Sequence, residues 1–456
     1  MADVLPVRRR MAAVGLVTAV VAASGFGLSR GVGPRALGVG GALGARSGAM
    51  FCPHGGSAGW RAWVVVANPG SHAVRIRVTP LGASGPGPQS TFTVLPLHQV
   101  YREVPAGEPS SATEVEYFGG WVGAAAVVLP AGGSAMASER CAAASRSAWF
   151  IPDQTTGPGQ STYTVVMNPF GQPAEFDLVI RTEKRVVQPG PLTPYVLPGH
   201  TAIGLPLNKY LLQTPDEHTV SAEVVTRAGR VAAGGVVISP HAVREEAGIT
   251  GTHPRWFAPV GGYGGAAEVV LMNPGLARAD LSILALGSRS QQVASGPNGV
   301  SVPSNAVATS SVDLSGAPGI VLRSMNGQSM VAAVRVQGPS GDSDTVNPAT
   351  APSRRWLVLP SVTPVGGLTY VILQNVGESI AQVSFTLLGP DGPVVPALPG
   401  VSVPPGRTIS VRVRSGGGAV TVLAEAASGT IVAGSASSSS DGSGFAATLG
   451  LPVGAG

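Results

Sequence analysis

This chain is poor in cysteine, in lysine and in charge of any kind. Its 456 residues include two cysteines (Cys52, Cys141) and two lysines (Lys184, Lys209), and only 12% are charged. Two cysteines with no Cys-x-x-Cys spacing and no paired histidines nearby do not make up the four ligands of a structural zinc site. The net charge of +5 does not indicate nucleic-acid binding either. Residues 1–50 carry six arginines (Arg8, Arg9, Arg10, Arg30, Arg35, Arg46) against Asp3, and the remaining 406 residues balance at 23 basic and 23 acidic side chains. A phosphate-binding surface needs clustered cations, and none is present. After residue 50 no long segment has a helical period, which excludes a helical bundle.

What the chain does contain is turns and short apolar runs. Glycine (64) and proline (40) are abundant enough to suggest disorder, yet 44% of residues are hydrophobic and arranged in strand-length runs, which predicts a folded all-β chain. An aromatic-led block ending in proline (Pro53, Pro152, Pro259, Pro360) is followed by a Gly-rich gap. Next comes an apolar strand ending at an asparagine (Asn68, Asn168, Asn273, Asn375). The period of roughly 100 residues matches one Ig-type β-sandwich. After each asparagine the pattern alternates, as in Val74, Ile76 and Val78 or Val383, Phe385 and Leu387, which predicts one packed and one wet face. The runs before it, such as 63–67 and 269–272, are uniformly apolar and suit strands buried on both faces. The Asn-Pro step predicts a turn in which asparagine bonds its own backbone two residues on.

These patterns predict a tandem array of about four Ig-like β-sandwiches behind an N-terminal hydrophobic helix, with a β-propeller of about eight half-repeat blades as the alternative. The expected divisions are a signal peptide or signal-anchor helix at 1–28, a flexible linker at 29–49, and sandwiches at 50–147, 148–254, 255–354 and 355–456. Arg8-Arg9-Arg10 ahead of the uncharged stretch 11–28 reads as an export signal, either a single-pass membrane anchor or a cleaved peptide that releases a secreted protein. Either way, the repeats lie outside the cytoplasm, where Cys52 and Cys141 are expected to pair.

The aromatic block, the strand ending in Asn-Pro and the leading hydrophobic segment together resemble a family of actinobacterial extracytoplasmic proteins of unknown function. The resemblance implies an envelope location and supplies no catalytic residues.

Motifs for chemistry are thin. Gly55-Gly56-Ser57-Ala58-Gly59 has the letters of a nucleophile elbow without the strand before it and the helix after it. Gly31-x-Gly33-x-x-Ala36 lacks a preceding strand for a dinucleotide loop. The pairs Glu245-Glu246 and Asp216-Glu217 are expected to be solvated, 341–344 to be a turn, and most histidines to lie at the surface or in turns. No catalytic, cofactor or metal residue is assigned.

The function expected is a non-catalytic structural or interaction protein of the bacterial cell envelope. Its partners are the membrane, through the N-terminal segment, and envelope proteins or cell-wall polysaccharide. A carbohydrate-binding or adhesion module is the alternative, and an unrecognised hydrolase a third reading. If a partner binds, repeat one offers Trp60, Trp63 and Trp121. Trp63 shares its column with Tyr163, Glu268 and Tyr370, and a column that accepts glutamate is expected to be exposed. Trp121, aligned with Arg230, Met330 and Ile431, also falls in a mixed column. The competing expectation is that these tryptophans pack over the disulfide.

Overall fold

In the computed structural model, residues 47–454 are described, apart from 134, 212–216, 241, 262–264, 297, 317, 396–397, 414–417 and 443. The expected export segment 11–28, most of the expected 29–49 linker, Asp216 and His241 therefore lie outside the described residues. The last residues assigned to that linker are already strand (Ser47–Cys52). Among the described residues no helix is long and apolar enough to cross a membrane. The described residues belong to one compact unit.

Among the described residues the unit is nearly all β, built from eight antiparallel sheets, none of which closes on itself. Each repeat contributes two. In repeat one, Arg61–Asn68 lies at the centre of a four-stranded sheet, between His98–Val104 and Gly123–Leu129, with Ala137–Arg140 outside the latter. Its second sheet pairs Ser47–Cys52 with Ala112–Phe118 and that strand with Val74–Gly82. The aromatic block thus opens the second sheet and the asparagine strand sits inside the first. The last block (Leu451–Pro452) pairs back onto Arg355–Val358 and completes the sheet of its own repeat.

Burial explains the two kinds of apolar pattern. Val74–Gly82 alternates at its start, with Val74, Ile76 and Val78 buried and Arg75 exposed. Arg61–Asn68 is buried from Ala62 onward, on both faces. Both faces are covered because each four-stranded sheet packs against its sister sheet and also against the next or preceding repeat. Ala148–Thr155, for example, touches Ala232–Ile238 of its own repeat and Val331–Gln337 of the following one. The sequence of contacts closes, since Leu357 of repeat four lies over Gly123 of repeat one and Gly389-flanking strand Ala381–Gly389 touches His98–Val104. Gln99 and Tyr101 complete the junction with hydrogen bonds to Ala419 and Val362. Pro53 and Pro259 reach across in the same way, over Gly234 and Gly434. A Cβ at Gly434 would lie 3.1 Å from the Pro259 carbonyl oxygen and 2.8 Å from that of Thr448, so the approach requires glycine. A string of independent sandwiches would leave these faces wet.

The four asparagines hold equivalent places, fully or almost fully buried. Each accepts the N–H two residues on, as the turn chemistry predicts (Gly70, Phe170, Gly275 and Gly377, 2.9–3.1 Å). Each also donates to the carbonyl four residues on and to one nearly thirty residues away, such as Ala277 at 2.8 Å and Val302 at 3.1 Å for Asn273. Asn273→Ala should cost about 2–3 kcal/mol, because buried carbonyls and an N–H lose their partner. Denaturant unfolding of the whole chain measures this; a loss below about 0.5 kcal/mol would show that water replaces the side chain at no cost.

Three of the aromatic blocks bury a tryptophan whose indole N–H donates to the facing strand: Trp149 to Val231, Trp256 to Met330 and Trp356 to Ile431, at 2.7–3.1 Å. Repeat one has Met50 in that place and buries Trp121 in the same core.

Candidate functional site

The fourth strands of the four-stranded sheets are Ala137–Arg140, Val243–Ala247, Ser343–Val346 and Phe445–Leu449. Each touches the next, and the last touches the first. A strand at a sheet edge has N–H groups with no partner in its own ladder, and buried donors must find acceptors. At this junction one side chain supplies an acceptor to every edge strand. The Asp344 carboxylate accepts the N–H groups of Ser138 (3.2 Å), Glu245 (3.3 Å), its neighbour Thr345 (2.9 Å) and Ala447 (3.1 Å), one from each repeat. These four residues occupy one column, since each lies across the last ladder from the partner of Trp63, Tyr163, Glu268 and Tyr370.

Around Asp344 lie further buried ionisable groups. Asp153 bonds the Arg335 guanidinium and the Thr345 hydroxyl (2.6 Å), with Arg244 at 3.8 Å. Arg335 also bonds Glu268. Burial pushes the Asp153 carboxyl up, but Arg335 and Arg244 outweigh it and hold the group below its ordinary value. Glu246 accepts the Asp153 N–H at 2.9 Å. Burial and the neighbouring Asp153 charge push Glu246 well above the usual carboxylate range. Burial, Asp344 and Glu139 do the same to Glu245. Burial raises Glu139 to about 8, against the pull of Arg140. Asp344 itself is pushed well up by burial, with its N–H donors pulling back.

Glu139, Glu245 and Glu246 line one small cavity with Cys52, Pro53 and His54, of about 10 Å³, room for roughly one water. His54 bonds Thr113 at 3.0 Å and the Gly55 carbonyl oxygen at 2.8 Å, and burial lowers it to about 4. Among the described residues no group of three His, Cys, Asp or Glu is arranged to hold a metal ion.

Several expectations are corrected. Glu245 and Glu246 are not solvated; they are 2% and 4% exposed. Glu217 is buried and pairs with Arg185 at 3.3 Å. Asp344 lies in a strand, and His54 is a buried exception to the surface or turn placing expected of most histidines. Trp63 and Trp121 are buried, at 6% and 2% exposure, and only Trp60 is half-buried. The ladder also moves Trp121 by one place, because Val122 rather than Trp121 stands level with Val231, Met330 and Ile431. The Trp63 column accepts a glutamate for a specific reason: Glu268 stands beside Arg335, which neutralises it.

The expected disulfide is present. Cys52 and Cys141 are bonded, with Cα atoms 4.5 Å apart. They join the opening block of repeat one to the segment just after its edge strand, where Phe51 and Ala142 form a bridge. The elbow-like stretch around Ser57 is irregular and leads into the strand Arg61–Asn68, so it lacks the helix that a nucleophile elbow needs.

The sequence profile of a family of unknown function (DUF5719) matches residues 110–355. The matched region holds Asp344 and every glutamate and arginine named at the junction, and His54 and Ala447 fall outside it. No curated protein matches the chain.

Proposed function

We propose that this chain, which belongs to the DUF5719 family of unknown function, is a non-catalytic structural or interaction protein of the bacterial cell envelope. The Cys52–Cys141 disulfide carries this reading, because such bonds form and persist in oxidising compartments. The burial of the acids supports it as well. The carboxyl groups with the most shifted acidity are 0–5% exposed and lie where edge strands meet, with Asp344 tying those strands together, instead of facing a cleft that admits substrate. The stretch 11–28 is the segment that would hold the protein in the membrane, facing outward. The architecture is read as eight packed sheets in a closed cycle, a blade-like arrangement in place of four separate Ig-like sandwiches, and the contacts between successive repeats support it. Envelope proteins or cell-wall polysaccharide are the partners proposed. Polysaccharide binding, the alternative role, rests on Trp60, the one of the three candidate tryptophans that keeps a solvent-facing edge.

A reporter enzyme fused after Gly456 should be active only outside the cytoplasm. Replacing Arg8–Arg10 with acids should weaken or invert insertion. Reporter activity inside the cell from the native sequence would overturn the location.

A further inference from the structure

The junction of the edge strands has more negative groups than the positive ones around it can neutralise. Facing Glu139 and Glu245 are Arg140 on the first edge strand, Arg244 and Glu246 on the second and Asp344 on the third. Asp153 and Arg335 stand behind them, and His54 closes the cavity from repeat one. The fourth edge strand brings Ala446, Ala447 and Thr448, with no charge. Among the buried groups five carboxyls therefore meet three guanidiniums, and Arg335 is shared further with the partly exposed Glu268. His54, lowered to about 4, is neutral above that pH.

The hydrogen bonds mark where the excess lies. Asp153 and Asp344 have full sets of donors. In contrast, both side-chain oxygens of Glu245, Oε2 of Glu139 and Oε1 of Glu246 are buried without a partner. A buried carboxylate without donors or a counter-charge is far costlier than the neutral acid. At least two protons would be needed to bring the five buried acids and three arginines to neutrality, since Arg335 also serves Glu268.

We infer that the meeting point of the four edge strands is a proton-binding lock, in which Glu139 and Glu245 take up protons as the chain folds, and that withdrawing those protons loosens the junction between repeats. The ligand is the proton, and the site is the small cavity lined by both glutamates.

The sign follows from linkage. Both groups are raised above the ordinary value of 4.5, Glu139 to about 8. Their contribution is complete below about 4.5 and is lost as pH rises through the folded values. His54 acts in the opposite sense, but only below its unfolded value of 6.5. Glu114, raised by burial to about 7, and Glu246 and Asp344, both pushed well up, share the direction of the two glutamates, so variants must separate their effects. Between about 6.5 and 8, each proton held by the folded state alone raises the unfolding constant about tenfold per pH unit.

The experiment follows thermal and denaturant unfolding of the full chain, with its disulfide intact, across that window. The native protein should lose stability steadily, by at least about a hundredfold in the unfolding constant per pH unit if both protons are held only when folded, since Glu114 adds to the fall. Glu139→Gln and Glu245→Gln should each remove about one tenfold step and should melt above the native protein at the alkaline end. A native melting temperature that stays flat or rises, or variants that keep the native slope, would overturn the proposal. If a variant does not fold, the infrared band of protonated carboxyl groups in the native protein decides. It should be present at neutral pH and fade toward alkaline pH, and its absence at neutral pH would end the idea.

Discussion

Asp344→Ala should be among the most damaging single substitutions in this chain, costing about 5 kcal/mol. Two oxygens accept N–H groups from all four repeats. Each donor left buried without an acceptor costs roughly 1–3 kcal/mol, with some relief if a water enters the space vacated. Asp344→Asn separates size from chemistry. It keeps the volume and one carbonyl oxygen, but turns an NH₂ toward two of the four donors, so its loss should be smaller than that of alanine and still clearly measurable. Hydrogen exchange gives the local signature: in the alanine variant the amides of Ser138, Glu245, Thr345 and Ala447 should lose protection together, though they lie in different repeats. Denaturant unfolding of the full chain measures the total. A loss below about 1 kcal/mol, or exchange that changes in Thr345 alone, would show that the edge strands are held by something else.

Removing the disulfide should cost about 4–5 kcal/mol. The bond closes a loop with a sequence separation of 89 residues, and the chain-entropy account places most of its effect in the unfolded state. The double variant Cys52→Ser/Cys141→Ser is preferable to a single one, since it leaves no lone thiol to form wrong bonds. Its melting temperature should match that of the native protein under reductant, and both should fall clearly below the oxidised protein. In the native protein both cysteines should resist alkylation until reduced. An unchanged melting temperature in the double variant would mean that neighbouring repeats hold the block Ser47–Cys52 in place without the bond.

The pattern of strands was legible because it depends on local rules. Alternation at Val74, Ile76 and Val78, uniform burial at 63–67 and the asparagine turns all express the period of two and the bonding habits of one side chain. The cysteine pair was legible for a similar reason, because only two candidates exist. The short hairpin strands, such as Gly85–Pro86 and Gly392–Pro393, leave no such trace, since two residues cannot show a period. Column comparison failed at Trp63 because it treats equivalent positions as sharing one environment. Glu268 carries Arg335 beside it, while Trp63 lies under Arg61 at 4.6 Å, so the same place accommodates an ion pair in one repeat and a buried ring in another.

The sequence alone determined that this is an all-β chain of four related repeats, with a turn-forming asparagine in each and one pair of cysteines to join. Only the tertiary structure decided that each repeat packs on both neighbours, and that Ser138, Glu245, Asp344 and Ala447, spread over 310 positions, meet at one point. The physical reason is that strand patterns record which face of a sheet is dry, but not what dries it. In sequence, Glu245-Glu246 is a pair of acids next to a turn. In the folded chain they sit 2–4% exposed, where four strand edges converge on a single carboxylate.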